Sequence, residues 1–358
     1  MKLPALKIKD LVSRIPIIQG GMGVGISLSG LASAVANEGG IGVIAAAMIG
    51  IDEPDVSTNA VEANIRALKR EIQKARKLTD GIIGVNIMVA LTQFTDLVKA
   101  AVQEAVDVIF SGAGLPMNLP EFLTKGAKTK LVPIISSARA AAIICKKWLA
   151  KYNYLPDAFV VEGPKAGGHL GFKEGEINDP DFTLEKLVKE VVSTVTPIAS
   201  ERGAAIPVIA AGGIYTGKDI RAFLDLGASG VQMGTRFVAT IECDAALQFK
   251  EAFLAAKEED LTIIQSPVGM PGRAVRNQFI EEVRNGNKKP FVCPYKCVKT
   301  CRQQESPYCI ALALAAAKKG KLKNGFVFAG ANAYRVREII SVKALIESLK
   351  LEFSETYA

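Results

Sequence analysis

The chain has 358 residues, 49% of them hydrophobic and 22% charged, and a formal net charge of +8. No run of 18 or more apolar residues occurs, so a membrane-spanning helix is excluded and no membrane partner is expected. The basic residues sit mostly on helix-like stretches such as Leu68 to Lys77, interleaved with apolar positions, and aromatics are only 6% of the chain. That is the pattern of a solvated helix face, so no nucleic-acid partner is expected. A positive rim still suits an acidic substrate such as a thioester of coenzyme A or of an acidic carrier protein.

Short apolar runs ending in glycine alternate with longer amphipathic stretches up to about residue 256, the rhythm of βα repetition. Strands are predicted at Ile15–Met22, Ile41–Ala47, Ile82–Met88, Asp107–Gly112, Lys130–Ser136, Ala158–Gly163, Pro207–Ile214 and Gly230–Phe237. Each is nearly continuous in apolar residues, as a strand covered on both faces should be. Leu28, Leu31, Ala32 and Val35 share one helix face, and a long helix is predicted from Ala60 to Leu78. Thr216 to Asp219 reads as a capping box opening a helix that stops at Gly227.

Eight strands in this order predict an α/β fold of the TIM (β/α)8 type, residues 1–257, with an appended C-terminal lid or subdomain, residues 258–358. The competing architecture is an open doubly wound sheet. Gly20 to Gly25 contains the glycine spacing of its dinucleotide turn by letters alone. That fingerprint also needs an acidic residue after the second strand, where Ala45, Ala46 and Ala47 stand instead. From about Leu261 the rhythm fails: Ser266 to Arg273 reads as loop, followed by helices near Asn277–Val283, Ile310–Lys318 and Val342–Leu349.

Ligands of such barrels bind where the strands end at their carboxyl face. Gly212 and Gly213 after the seventh strand, with Gly234 and Thr235 after the eighth, offer backbone N–H groups and a hydroxyl where barrels commonly hold a phosphate. Gly20, Gly21, Met22, Asn86 and Glu162 at other strand ends could hydrogen-bond a polar heterocycle, although Asn86 could equally cap a helix and Glu162 brace a loop. The sixth strand opens into a loop carrying Gly167, Gly168 and His169, the single histidine of the chain. From the residues alone, that histidine is as readily an ordinary loop residue as a catalytic group.

Gln19 to Met22, Glu162 with Gly167 to His169, Ala211 to Ile214 and Met233 to Phe237 together resemble the motifs of the nitronate monooxygenase (2-nitropropane dioxygenase) family. The FMN-dependent enoyl-acyl carrier protein reductases are its relatives. The resemblance spans about residues 10 to 285 and implies an FMN-dependent oxidoreductase. It implies the FMN phosphate at Gly212, Gly213, Gly234 and Thr235, the isoalloxazine near Gly21, Met22 and Asn86, and His169 facing the flavin as base or proton donor. A small-molecule or acyl-thioester substrate is implied, with NAD(P)H as a co-substrate if the reaction is a reduction.

The tail departs from the family pattern. Cys293, Cys297, Cys301 and Cys309 form C-x3-C-x3-C-x7-C, a set of thiols expected to hold an iron–sulfur cluster, with zinc or no metal at all as the alternatives. Cys145 and Cys243 are expected as buried small residues. Residues Met1 to Asp10 lack the apolar core of a signal peptide, so a cytoplasmic setting with reduced thiols is expected. Two further readings stand beside the enzyme: a non-catalytic flavoprotein or phosphate-ligand-binding barrel, and a flavin-free isomerase or aldolase. Homo-oligomerisation is left open.

Overall fold

The computed structural model describes residues 2–355. The chain begins with an antiparallel hairpin, β1 (Leu6–Ile8) and β2 (Leu11–Ser13). It was not anticipated, because strands of three residues carry no usable periodicity. β3 (Ile17–Gln19), β4 (Ile41–Ala45), β5 (Ile82–Asn86), β6 (Val108–Ser111), β7 (Lys130–Ile135) and β8 (Phe159–Glu162) then pair in parallel in that order, neighbour to neighbour. β9 (Gly168–His169) lies outside this sheet; β10 (Val208–Ala211) pairs with β8, and β11 (Gly230–Met233) closes the ring onto β3. The result is the expected eight-stranded parallel barrel of the TIM type.

Period-two alternation along the strands divides the apolar residues into two cores. Ile18, Val43, Phe110, Val132, Val160 and Ile209 point inward, where Leu6 and Ile8 of the first hairpin join them. Ile44, Val85, Ile109, Val161 and Val231 point outward against the surrounding helices. Those helices are α1 (Ser29–Asn37), α2 (Ala60–Leu78), α3 (Phe94–Gln103), α4 (Ala138–Tyr152), α5 (Leu184–Ser200), α6 (Gly217–Asp225), the single turn α7 (Thr235–Val238) and α8 (Leu247–Ala255).

In α2 the residues Ala63, Ala67, Leu68, Ile72 and Ala75 are buried, while Arg66, Arg70 and Lys74 pair with Asp55, Glu53 and Glu71. This is the solvated basic face that the sequence suggested. α6 opens with the expected capping box: the Asp219 N–H donates to the Thr216 hydroxyl at 3.1 Å and the Thr216 N–H to the Asp219 carboxylate at 2.8 Å. The predicted last strand ends early, at Met233, because Thr235 turns the chain into α7.

Beyond the barrel the structure corrects one reading. Residues 266–273 are not all loop: β12 (Leu261–Gln265) and β13 (Pro271–Val275) form an antiparallel hairpin, and β13 continues the pairing to β9, setting Gly272 opposite His169 and Arg273 opposite Gly168. Three helices follow, α9 (Gln278–Arg284), α10 (Ile310–Lys318) and α11 (Val342–Ser354). No described helix is long and apolar enough to cross a membrane.

Candidate active site

The carboxyl ends of the barrel strands open into one cavity of about 560 Å³. Every site residue expected from the sequence other than the cysteines lines it: Gly20, Gly21, Met22, Asn86, Glu162, Gly167, Gly168, His169, Gly212, Gly213, Gly234 and Thr235. Two glycines are required by the geometry. A Cβ on Gly21 would lie 2.3 Å from the Asn86 Cβ, so only a bare backbone lets these strand ends approach. Gly213 has a φ of +87°, and a Cβ there would come within 2.9 Å of the Lys165 Cβ. Behind this floor, buried Gln19 accepts the Val43 N–H at 3.0 Å and donates to the Gly20 carbonyl.

One end of the cavity is a cradle of backbone. Gly212, Gly213, Gly234 and Thr235 meet Lys165 and a loop from the tail, Gly330–Asn332. The Asn332 side-chain amide donates to the Gly213 carbonyl at 2.6 Å and the Ala331 N–H to the Lys165 carbonyl at 3.0 Å, so the loop is tied to both. An open concavity with backbone N–H groups, a hydroxyl and one ammonium suits a phosphate monoester. The rest of the lining is mainly apolar, with Met88, Leu115, Val268, Met270, Leu314 and Phe328 among it.

His169 is held from the tail. Its Nε2 lies 2.7 Å from the Ser266 Oγ, and its ring meets the edge of Phe328 with centroids 5.0 Å apart. Burial lowers its pKa to about 4, so the imidazole is neutral near pH 7. Glu162, at the end of β8, has its pKa raised to about 7 by burial. Arg273 on β13 is buried, 8% exposed, and its guanidinium donates to the Pro164 and Ala166 carbonyls at 2.7 and 2.8 Å, fixing the loop that leads to His169.

The cysteine expectation is not supported. Among the described residues no group of three or more His, Cys, Asp or Glu side chains is placed to hold a metal ion, so neither the iron–sulfur cluster nor zinc finds a ligand set in Cys293, Cys297, Cys301 and Cys309. The physical reason lies in packing: Cys297 and Cys309 are buried with Val24, Met48, Ala311 and Ala315. That burial, with the neighbouring thiols, pushes the Cys297 thiol up to about 12, and burial also raises Cys309. They behave as small apolar residues, and only Cys297 of the four reaches the cavity wall. Cys145 and Cys243 are buried, as expected.

Lys165, Ser266, Arg273, Phe328 and Asn332 were not anticipated. Only Lys165 carried a local signal, in its place between Glu162 and the glycines of the same loop; the others reach the site from the tail.

Comparison with known proteins fits this geometry. The family model described as nitronate monooxygenase matches residues 6–352, nearly the whole chain. The chain belongs to the nitronate monooxygenase family. The family supports an oxidoreductase of the FMN type, and an enzyme in place of a non-catalytic barrel. A curated relative from Mycobacterium tuberculosis, "(3aS,4S,5R,7aS)-5-hydroxy-7a-methyl-1-oxo-octahydro-1H-indene-4-carboxyl-CoA dehydrogenase", is 31% identical over 76% of the chain. The match spans 66% of that relative, just under two thirds of its length. A "Probable nitronate monooxygenase" from Staphylococcus aureus strain Newman is 29% identical, covering 75% of this chain and 77% of the relative. Among solved structures, FabK from Thermotoga maritima superposes with a TM-score of 0.71 at 31% identity, covering 95% of this chain and 93% of that one. A nitroalkane oxidase from Streptomyces ansochromogenes shares the fold, with a TM-score of 0.73 at 24% identity and 97% coverage of both chains.

Proposed function

We propose that this member of the nitronate monooxygenase family oxidises a small nitronate or nitroalkane in the apolar part of the cavity, beside bound FMN. The glycine cradle fits FMN: Gly212, Gly213, Gly234 and Thr235 would hold its phosphate, with Lys165 adding a positive charge, and Gly20, Gly21, Met22, Asn86, Glu162, Gly167 and Gly168 would line its remainder. Bound FMN would supply hydride or single-electron transfer. The chain's own residues would orient the substrate and exclude water, with His169 handling the proton or hydrogen bond at the reacting group. In this reading residues 1–257 form the cofactor-binding barrel and 258–358 the lid.

The observation that carries the proposal is a neutral imidazole, His169, fixed by Ser266 and Phe328 in the wall of a cavity whose other end is shaped for a phosphate. A charged imidazolium would be needed to deliver a proton outright; a neutral ring offers one N–H and one lone pair, which suits a substrate that is itself acidic or anionic. A second reading has its own support. The run of Met88, Leu115, Leu314 and Phe328 along the wall favours an acyl chain, hence reduction of an enoyl thioester by NAD(P)H.

The test is aerobic turnover of a nitronate set against NADH- or NADPH-driven reduction of an enoyl-coenzyme A. Nitronate consumption without a nicotinamide supports the first reading; reduction of the thioester alone replaces it with the second. H169A should lower turnover by about 10²-fold with flavin still bound. Unchanged turnover in that variant would overturn the role given to His169.

A further inference from the structure

The role given to His169 leaves open which ring nitrogen carries the hydrogen, and the hydrogen-bond accounting around Ser266 answers this. Ser266 follows β12, is only 5% exposed and is absent from the cavity wall. Its hydroxyl has two neighbours among the described residues: His169 Nε2 at 2.7 Å and the Val268 N–H at 3.5 Å. The Val268 N–H can only donate, so it occupies a lone pair of Oγ. The hydroxyl hydrogen then has a single acceptor within reach, the Nε2 lone pair. Were Nε2 protonated instead, two donors would face Oγ and the hydroxyl hydrogen would be buried without an acceptor, an arrangement that folded proteins avoid.

We infer that Ser266 is a positioning residue that holds His169 in the tautomer protonated at Nδ1, by donating its hydroxyl hydrogen to Nε2. This deepens the reading of His169 given above and rests on it. The antiparallel pairing of His169 with Gly272 fixes its backbone, and the contact with Phe328 packs its ring. Nδ1 has no hydrogen-bond partner among the described residues, so its N–H is the group left for a ligand. His169 therefore presents a hydrogen-bond donor to the substrate, and the matching group is an oxygen bearing negative charge. In the nitro series this selects the ionised nitronate, whose oxygen accepts the Nδ1–H bond, over the neutral nitroalkane, which would need a lone pair to take its carbon-bound proton.

A single histidine makes the test direct, since protein grown on nitrogen-15 histidine gives one imidazole pair, whose two nitrogens are told apart by their couplings to the ring hydrogens. In the flavin-loaded wild type, Nδ1 should resonate in the protonated range and Nε2 in the unprotonated range. In S266A the form protonated at Nε2 should gain population, and S266T should restore the original pattern. The S266A turnover should fall by about tenfold or more with flavin retained. A wild-type ring protonated at Nε2 overturns the inference without any variant, and so does an S266A ring with an unchanged tautomer. Turnover of the neutral nitroalkane as fast as its nitronate overturns the choice of ionised substrate. Failure to turn over either compound counts against the proposed function, while the wild-type nitrogen shifts still decide the tautomer.

Discussion

His169 and Gly272 stand opposite each other in an antiparallel pair, so the loop that leaves β8 is stitched to a hairpin from the tail. The histidine's backbone, its ring nitrogen and its ring edge are all held by residues after position 260. The tail is thus part of the construction of the site.

Arg273 extends the same seam. Replacing it by Met leaves the Pro164 and Ala166 carbonyls without the guanidinium that now donates to both. R273M should lose about 2–4 kcal/mol of stability, and R273K, whose ammonium can still donate to a carbonyl in place of the single Nη1 that now serves both, should lose less. Urea denaturation followed by far-ultraviolet circular dichroism measures both; equal stability of R273M and wild type would remove Arg273 from this role.

Gly213 should tolerate no side chain. At a φ of +87°, with Lys165 against the built Cβ position, G213A should cost about 1–3 kcal/mol and weaken FMN retention. Urea denaturation of the stripped protein measures the first effect and flavin content after gel filtration the second.

Glu162 gives a pH signature. Its folded pKa, about 7, lies above the ordinary 4.5, so between these values the folded chain keeps a proton that the unfolded chain has released. Wild-type stability contributed by this group is therefore present below pH 4.5 and is lost as the pH rises through about 7. E162Q cannot titrate, and its stability relative to wild type should grow by up to ~3 kcal/mol across that window in flavin-free protein. A difference that stays flat with pH would contradict the buried, uncompensated carboxyl.

His169 has the opposite sign. Its folded pKa, about 4, is below the ordinary 6.5, so on acidification the unfolded chain takes up its proton first and stability is lost as the pH falls from about 6.5 towards 4. The loss attributable to this group is up to ~3 kcal/mol, and H169Q should be free of it. For turnover, the profile should show no limb assignable to His169 between pH 5 and 8; a limb in that range that disappears in H169Q would contradict the neutral ring.

The barrel was legible because each of its strands is covered on both faces, which writes an uninterrupted apolar run such as Ile41–Ala45 into the sequence. The glycines of the cradle were legible for a similar reason, as bare backbone leaves a trace that side-chain chemistry does not. The partners of His169 left none: Ser266 sits 97 residues away and reads locally as an ordinary turn residue. β13 contains Pro271 and Gly272, both poor strand formers, and it pairs because β9 and β12 flank it. The cysteine spacing brings thiols near one another without making a metal site among the described residues, because Cys297 and Cys309 are absorbed into apolar packing.

The hairpin at the start of the chain stoppers the amino end of the barrel with Leu6 and Ile8, while Asp10 anchors it to Lys130 on β7. With that end stoppered, cofactor and reactant would both enter from the carboxyl face of the barrel. Whatever lodges deepest is the last to leave, and the segment bearing Cys297 and Val298 forms part of the wall it passes.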